Sequence, residues 1–317
     1  MLLLDEPAGQ PVVALAFSAD GQRLASVARR SHLIRIWNLA THELEFTLTG
    51  NTGRVVAIAF APSGEYFASA SFAGALWLWE CDLTRTSWRG AMAHHWPRSP
   101  GVHAPGQLAF SPDSSILAST QCRLPLQRGP RRYAPATLTQ IALVEPVTAQ
   151  VRWLETGHTE DVSSVAFSPD GTTVATGSFD RTVRLHQLGK RARSVMNLHE
   201  KVHFLTFAGD GLSIAAASAR GLVRVFDTLS TGERLHLFAE ESPLHALCFS
   251  PDGRTLASAA GQQQGVVSFW EVQTGSRMSS FDWNIGEIHS MAFAPDGMRA
   301  CAGGDGKIMV WDIDDWC

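Results

Sequence analysis

The stretch Val165-Ala166-Phe167-Ser168-Pro169-Asp170-Gly171 decides the fold, because it runs a short apolar strand directly into a tight turn. Proline presets the first corner of a β-turn, aspartate hydrogen-bonds its own backbone, and glycine accepts a positive φ that other residues resist. The next stretch, Thr173-Val174-Ala175-Thr176, has the composition of a second strand. The sequence therefore predicts two antiparallel strands joined by a turn at residues 168–171.

This strand and turn recur seven times along the chain. Each copy ends its first strand on a phenylalanine, and consecutive phenylalanines are 40 to 57 residues apart. The seven are Phe17, Phe60, Phe110, Phe167, Phe207, Phe249 and Phe293. A period of about 40–45 residues with four strands in each repeat is the sequence signature of a β-propeller. We therefore predict an all-β ring of seven antiparallel blades.

Two further strands complete each repeat. The third alternates apolar residues and usually closes on an aromatic, as in Ile34-Arg35-Ile36-Trp37, and a half-buried strand requires this period of two. Residues 43–48 and 233–238 are examples of the fourth. A four-stranded blade cannot bury both of its faces alone, so neighbouring blades must stack. We predict one domain over residues 1–317, with blades near 12–50, 51–93, 107–156, 157–199, 200–240, 241–283 and 284–317 plus 1–5.

Closure of the ring is predicted from the two ends of the chain. The seventh repeat supplies three strands ending at Trp311-Asp312, and Leu2-Leu3-Leu4-Asp5 is similar to the fourth strand of other repeats. We expect residues 1–5 to complete the seventh blade, because pairing the two ends removes an exposed sheet edge.

These repeats resemble the WD-repeat family over essentially the whole chain. The fourth repeat matches best, with Gly157-His158 before the first strand, Ser178 and Asp180 after the second, and His186 at the tryptophan position. In the family these positions form a structural hydrogen-bond tetrad within a blade. The resemblance therefore implies a tetrad of His158, Ser178 and Asp180, with His186 replacing tryptophan. Other repeats keep less of it, and the literal WD pair occurs only at Trp311-Asp312.

Composition argues against several classes of function. The formal net charge is −4 and the isoelectric point about 6.3, so general attraction to nucleic acid or anionic membrane is not indicated. The five cysteines never fall at C-x-x-C spacing, which favours a reducing compartment over a zinc site or disulfide framework. The apolar run at residues 2–4 is too short for a signal peptide, and no run approaches the ~18 apolar residues of a membrane span. We expect a cytoplasmic protein that does not enter a membrane.

Two patterns suggest chemistry, and each has a simpler interpretation. His158, Ser178 and Asp180 have the residue types of a catalytic triad, but a G-x-S-x-G nucleophile elbow is absent and their positions in the repeat explain them. The histidines within residues 94–103 suggest a metal site. Adjacent residues of an extended chain point in opposite directions, however, and no carboxylate or cysteine lies at ligand spacing. We expect no catalytic residue, no metal and no cofactor.

Two long connections interrupt the regular repeat, at residues 94–106 and 121–136. In the WD-repeat family both kinds of connection emerge on one side of the ring, the top rim. The candidate contact residues in them are Trp96, Arg98, Arg123, Arg128, Arg131, Arg132 and Tyr133. Arginine and aromatic residues are enriched at binding hot spots, whereas a merely solvated loop is the alternative. The second connection has four arginines and no acid, which favours an acidic or phosphorylated partner.

Phe72 and Phe179 form a second candidate contact on the top rim. Each lies one residue before the tetrad aspartate position, which the family often uses for partners; the alternative is packing against the next blade.

We predict a non-enzymatic scaffold that binds a protein or peptide. One alternative is a propeller hydrolase or lyase with its site at the central channel, although the first strands are mostly small and apolar. Nucleic-acid binding through the arginine-rich connection is a third, against which the net charge argues.

Overall fold

Antiparallel β-structure dominates the computed structural model, which describes residues 1–7, 9–81, 87–95, 106–120, 139–190, 193–238, 243–261 and 264–313. Within these residues, seven sheets of four strands each form the blades. The predicted seven-bladed propeller is therefore confirmed. No helix among the described residues has the length and apolarity that crossing a membrane requires.

The first four blades follow the order of the chain, with each strand paired to the next. Their strands are β2 (Val12–Phe17), β3 (Arg23–Ala28), β4 (Ile34–Asn38) and β5 (Glu43–Leu48) in blade one; β6 (Val55–Phe60), β7 (Tyr66–Ser71), β8 (Ala75–Cys81) and β9 (Trp88–His95) in blade two; β10 (Leu108–Phe110), β11 (Leu117–Ser119), β12 (Gln140–Val144) and β13 (Val151–Glu155) in blade three; and β14 (Val162–Phe167), β15 (Thr173–Ser178), β16 (Thr182–Gln187) and β17 (Arg193–Asn197) in blade four.

The last three blades follow the same plan, except that the seventh takes its outermost strand from the N-terminus. Their strands are β18 (Phe204–Phe207), β19 (Ser213–Ala217), β20 (Leu222–Asp227) and β21 (Glu233–Phe238) in blade five; β22 (Leu244–Phe249), β23 (Thr255–Ala260), β24 (Val266–Glu271) and β25 (Arg277–Asp282) in blade six; and β26 (Ser290–Phe293), β27 (Arg299–Gly303), β28 (Lys307–Asp312) and β1 (Leu2–Asp5) in blade seven.

The predicted closure of the ring is also confirmed. β1 pairs antiparallel with β28, with Leu2 opposite Val310 and Leu4 opposite Ile308. The side chain of Leu4 is buried in the apolar cluster between blades seven and one, whereas Leu3 points outward and is 46% exposed. The N-terminal strand therefore covers the edge of β28 and also contributes to the core.

Apolar side chains of the described residues form seven clusters, one at each interface between adjacent blades. The first strand of every blade contacts the first strands of both neighbours, so these strands form the innermost circle. Because each blade buries its faces only against its neighbours, stability depends on the complete ring.

The turn after β14 shows how the sequence makes these hairpins tight. Gly171 has a φ of +70°, and the Ser168 hydroxyl donates to Asp170 Oδ1 at 2.5 Å. The backbone N–H of Thr173 donates back to Ser168 Oγ at 3.0 Å. Hydrogen bonds from Ser168 and the Thr172 backbone hold the pKa of Asp170 below its usual value. The turn is thus closed by its own side chains.

Candidate functional site

The top rim follows directly from the antiparallel order of the strands. The connection between a blade's second and third strands emerges at the same end as the connection from its fourth strand to the next blade. The described parts of both kinds of connection, together with the first residues of the innermost strands, therefore form one surface.

A buried chain of polar side chains lies beneath the top rim in blade four. His158 Nδ1 is 2.8 Å from Asp180 Oδ2, and His158 Nε2 is 2.9 Å from the Thr176 hydroxyl. The same hydroxyl is 2.9 Å from His186 Nε2. A neutral His158 donates from Nδ1 to Asp180 and accepts at Nε2, so Thr176 donates to His158 and accepts from His186. Each of these contacts then has one donor and one acceptor.

The position of Ser178 corrects the tetrad expected from the sequence. Its hydroxyl donates to the Glu160 carbonyl at 3.1 Å and accepts from the Asp180 backbone N–H at 3.1 Å. Thr176 takes the place assigned to Ser178. Alternate residues of a strand share one face, so both hydroxyls project from the same side of β15 and only their positions along the strand distinguish them.

Burial and hydrogen bonding shift the pKa values of His158 and Asp180. Burial lowers the pKa of His158, although the neighbouring Asp180 acts in the opposite direction. Burial acts to raise the pKa of Asp180, but hydrogen bonds from Thr182 and the Thr159 backbone hold it below its usual value. A neutral His158 beside an ionised Asp180 is therefore favoured at neutral pH. Because the Ser178 hydroxyl bonds the Glu160 carbonyl and not His158, the arrangement is structural and does not activate a nucleophile.

The same hydroxyl position recurs in other blades. Trp79 Nε1 donates to Ser69 at 3.0 Å, and Ser69 donates to Asn51 Oδ1 at 2.9 Å. In blade one, the Trp37 indole donates to Ser26 at 2.9 Å, and the Ser26 hydroxyl lies 3.4 Å from Glu6 Oε2. Sequence reasoning missed Glu6, which has no resemblance to the expected histidine. In each of these blades the hydroxyl lies on the second strand, beside the third strand, and this recurring position is the signal that identifies it.

The arginine-rich prediction falls outside the described residues. Trp96, Arg98, Arg123, Arg128, Arg131, Arg132 and Tyr133 all lie in the segments 96–105 and 121–138, which the structure does not describe. The described neighbour His94 donates from Nε2 to the Ala149 carbonyl at 2.7 Å, so this histidine is used in a contact with blade three. Binding through these segments stays a prediction.

The two phenylalanines are both on the top rim, and each carries a cation against its ring. The Arg54 guanidinium lies 3.5 Å from the centroid of Phe72, which is 37% exposed. Lys201 Nζ lies 5.3 Å from the centroid of Phe179, and the His203 ring lies 5.1 Å from it. Phe179 thus packs against blade five, as the alternative interpretation expects, and stays half-buried beside a pocket.

That pocket, of about 400 Å³, opens on the top rim between blades four and five. Its charged and imidazole side chains are Arg181, His199, Glu200, Lys201, His203 and Arg220, and we call it the basic pocket. Burial lowers the pKa of His203, so this imidazole adds little positive charge. Arg181, Lys201 and Arg220 carry permanent positive charges, and Glu200 lies among them. The Lys201 side chain is 58% exposed. Cationic groups around a concave site can bind carboxylate or phosphate.

Sequence reasoning missed the basic pocket because its cations come from two repeats. Arg220 has the place in blade five that Asp180 has in blade four: each backbone N–H donates to the serine hydroxyl two residues earlier. Replacement of the tetrad aspartate by arginine is the signal that the sequence contained.

Comparisons with known proteins agree with this architecture. The model of the family described as "WD domain, G-beta repeat" matches residues 4–38, 42–80, 150–187, 232–271 and 275–312, more than half of the chain. The chain is 24% identical to a guanine nucleotide-binding protein subunit beta of Zea mays, over 95% of this chain and 80% of that protein. It is 33% identical to the WD repeat-containing protein SL1-17 of Schistosoma mansoni, over 43% of this chain and 45% of that protein.

A third relative is similar over a smaller share of its length. The chain is 29% identical to pre-mRNA-processing factor 19 homolog 2 of Arabidopsis thaliana, over 54% of this chain and 34% of that protein. The chain therefore spans less than half the length of the Schistosoma and Arabidopsis relatives.

Proposed function

Because this chain belongs to the WD40 repeat family, we propose that it is a non-enzymatic scaffold that binds a protein partner on its top rim. Its relative from Zea mays is named as a "subunit beta", which is one part of a larger assembly. The triad-like residues of blade four support a scaffold as well, since Ser178 bonds the Glu160 carbonyl and Thr176 bonds His158.

The basic pocket is the observation that carries the proposal. Arg181 and Arg220 are exposed on adjacent blades and flank the same opening as Lys201. A guanidinium pairs bidentately with a carboxylate or phosphate, and Lys201 adds a point charge. The Phe179 ring lies 5.3 Å from Lys201 Nζ and so adds an apolar group beside the pocket. The pocket therefore suits an acidic or phosphorylated side chain of an extended peptide.

The proposal is tested by peptide binding to the intact ring. An array of matched phosphorylated, acidic and neutral peptides is screened, and affinity is then measured at two salt concentrations. We expect phosphorylated or acidic peptides to bind, and to bind more weakly at higher salt because the contacts are exposed ion pairs. The double replacement Arg181→Ala with Arg220→Ala should weaken binding by at least about tenfold, which corresponds to two lost charge-assisted contacts.

Arg152 provides the matched control. It is an exposed arginine on β13, the outermost strand of blade three, away from the pocket. Arg152→Ala removes the same charge and should leave peptide affinity unchanged. Equal affinity of the double variant and the wild type would reject the pocket, and binding of neutral peptides alone would reject the proposed partner chemistry.

A cytoplasmic location is part of the same proposal. Cys248 and Cys301 are free thiols, and Cys301 is buried. Burial raises the pKa of Cys248 to about 12, so it stays an unreactive thiol. Free thiols of this kind are typical of reducing compartments. Fractionation of source cells with detection of the native protein tests this location.

A further inference from the structure

Side chains from two adjacent blades converge on the top rim at blades six and seven. His245 lies at the bulge near the start of β22, between Leu244 and Ala246. His289 directly precedes β26, and its backbone N–H donates to the Gly303 carbonyl at 2.9 Å. Because β22 and β26 are adjacent innermost strands, the two histidines project from equivalent ends of neighbours. Glu287 lies in the connection that leads into β26.

The donor atoms of these three side chains have the spacing of a metal-ligand set. All lie within 4.8 Å of one another. His245 Nε2 is 3.1 Å from Glu287 Oε1, and His289 Nδ1 is 3.9 Å from the same oxygen. Bonds of about 2.0–2.2 Å to Zn²⁺ place neighbouring ligands of a tetrahedral ion about 3.3 Å apart. Small side-chain rotations therefore suffice to enclose an ion.

Hydrogen bonding leaves two nitrogens of this cluster unsatisfied. The His289 side chain is only 9% exposed, and its buried Nε2 has no hydrogen-bond partner. His245 Nε2 is also buried and has no hydrogen-bond partner, although it lies 3.1 Å from Glu287 Oε1. An unpaired buried polar atom costs about 1–3 kcal/mol, so such atoms usually have a ligand, an ion or water.

From this geometry we infer that His245, Glu287 and His289 bind one divalent transition-metal ion, for which Zn²⁺ suits the donors best. Two imidazoles and one carboxylate are a donor set that Zn²⁺ accepts, and they leave a further position open. The side chains of His245 and Glu287 are 24% and 28% exposed, so the cluster lies near the protein surface.

Asp305 completes the surroundings of the site. Its Oδ1 lies 3.9 Å from His289 Nε2, and the Glu287 backbone N–H donates to its Oδ2 at 3.3 Å. Both nitrogens of the His289 ring therefore face carboxylate oxygens. With Glu287 as a ligand, the ion lies on the Nδ1 side of His289, and the Asp305 carboxylate on the Nε2 side orients the ring. The bound ion would link blade six to blade seven.

The test uses the metal alone with tag-free, full-length protein that has been stripped with a chelator. Titration with Co²⁺ should give the visible absorption of a low-symmetry Co²⁺ site, at one ion per chain, and Zn²⁺ should displace it. Zn²⁺ should also raise the melting temperature, because a ligand that binds only the folded ring stabilises it.

Two variants and one control test the assignment. His245→Ala and Glu287→Gln should each weaken Zn²⁺ affinity by at least about tenfold, as loss of even an orienting partner does at metal sites. His236 is the control, because it is an exposed histidine with Nδ1 3.6 Å from Glu233 Oε1 and belongs to blade five. His236→Ala should keep wild-type affinity.

Melting of the metal-free variants separates loss of the site from loss of the fold. Glu287→Gln has nearly the same shape as the native side chain, so it keeps the test valid if His245→Ala unfolds. The inference is overturned if the wild type shows no saturable binding at one ion per chain, or if both variants bind Zn²⁺ as tightly as the wild type. Neither result bears on peptide binding at the basic pocket.

Discussion

His158 Nε2 lies 2.9 Å from the hydroxyl of Thr176, and this contact connects the two halves of the buried polar chain in blade four. On one side His158 reaches Asp180, and on the other Thr176 reaches His186. In blade two an indole occupies the last position and donates to Ser69 in the same way. His186 thus replaces tryptophan in blade four and still donates a hydrogen bond to the hydroxyl of the second strand.

We predict that Thr176→Val destabilises the ring by about 1–3 kcal/mol, because the shape is kept while two buried imidazole nitrogens lose their partner. Chemical denaturation at neutral pH measures this change. Thr47 is the matched control, since it is an exposed threonine on the outermost strand β5. Thr47→Val should change stability by less than about 0.5 kcal/mol. Equal effects of the two substitutions would contradict the role of Thr176.

Stability should decrease as the pH falls through the range in which free histidine titrates. Burial lowers the pKa of His158 below its usual 6.5, so the unfolded chain binds a proton there before the folded chain does. The contribution of this group is therefore complete above about pH 6.5 and is lost below it. Asp180, whose pKa is also lowered, adds a further loss below its usual 3.8.

Denaturation of the wild type and of His158→Gln at about pH 7.5 and about pH 5.5 tests the histidine's share, because only the wild type carries this proton linkage. We expect a smaller loss of stability on acidification in His158→Gln. Since burial lowers the pKa of His203 as well, some pH dependence should persist in the variant. Replacement of the exposed His32 by glutamine is the control and should leave the wild-type profile unchanged.

Leu4→Ala should destabilise the ring by roughly 2–5 kcal/mol, because it empties a buried position in the closing strand. Leu3 is the neighbouring control: it is 46% exposed, against 3% for Leu4. Leu3→Ala should have little effect on the melting temperature. Deletion of residues 1–5 should go further and expose the edge of β28, which promotes aggregation. Clean monomeric elution and an unchanged melting temperature after the deletion would argue against the closure as a source of stability.

The arginine-rich connection gives a separate prediction about partner binding. Arg131→Ala with Arg132→Ala should weaken binding of an acidic or phosphorylated partner and reduce its salt dependence, because two cations are removed. Comparison with Arg181→Ala plus Arg220→Ala shows which surface contributes more. If the Arg131→Ala, Arg132→Ala variant keeps both affinity and salt dependence, these two arginines do not contribute to partner binding, and the basic pocket is the one remaining candidate surface.

The sequence by itself determined the number of blades, the hairpin turns and the closure of the ring. These features depend on local chemistry: proline, aspartate and glycine at 169–171 specify a turn, and alternating apolar residues specify the strands on either side. Closure needed only the observation that the seventh repeat lacks a strand and that residues 2–5 have the composition of one. Because the same turn and strand pattern occurs in all seven repeats, the sequence specifies a ring of seven similar blades.

Only the tertiary structure decided which polar side chains meet. Thr176 and Ser178 share one face of β15, so the choice between them depends on which hydroxyl lies opposite His158. The cations of the basic pocket come from blades four and five, and His245 and His289 come from blades six and seven. Residues in different repeats have no spacing rule that links them in the sequence. Their proximity is set by how closed blades pack around the ring, which is a property of the whole assembly of strands.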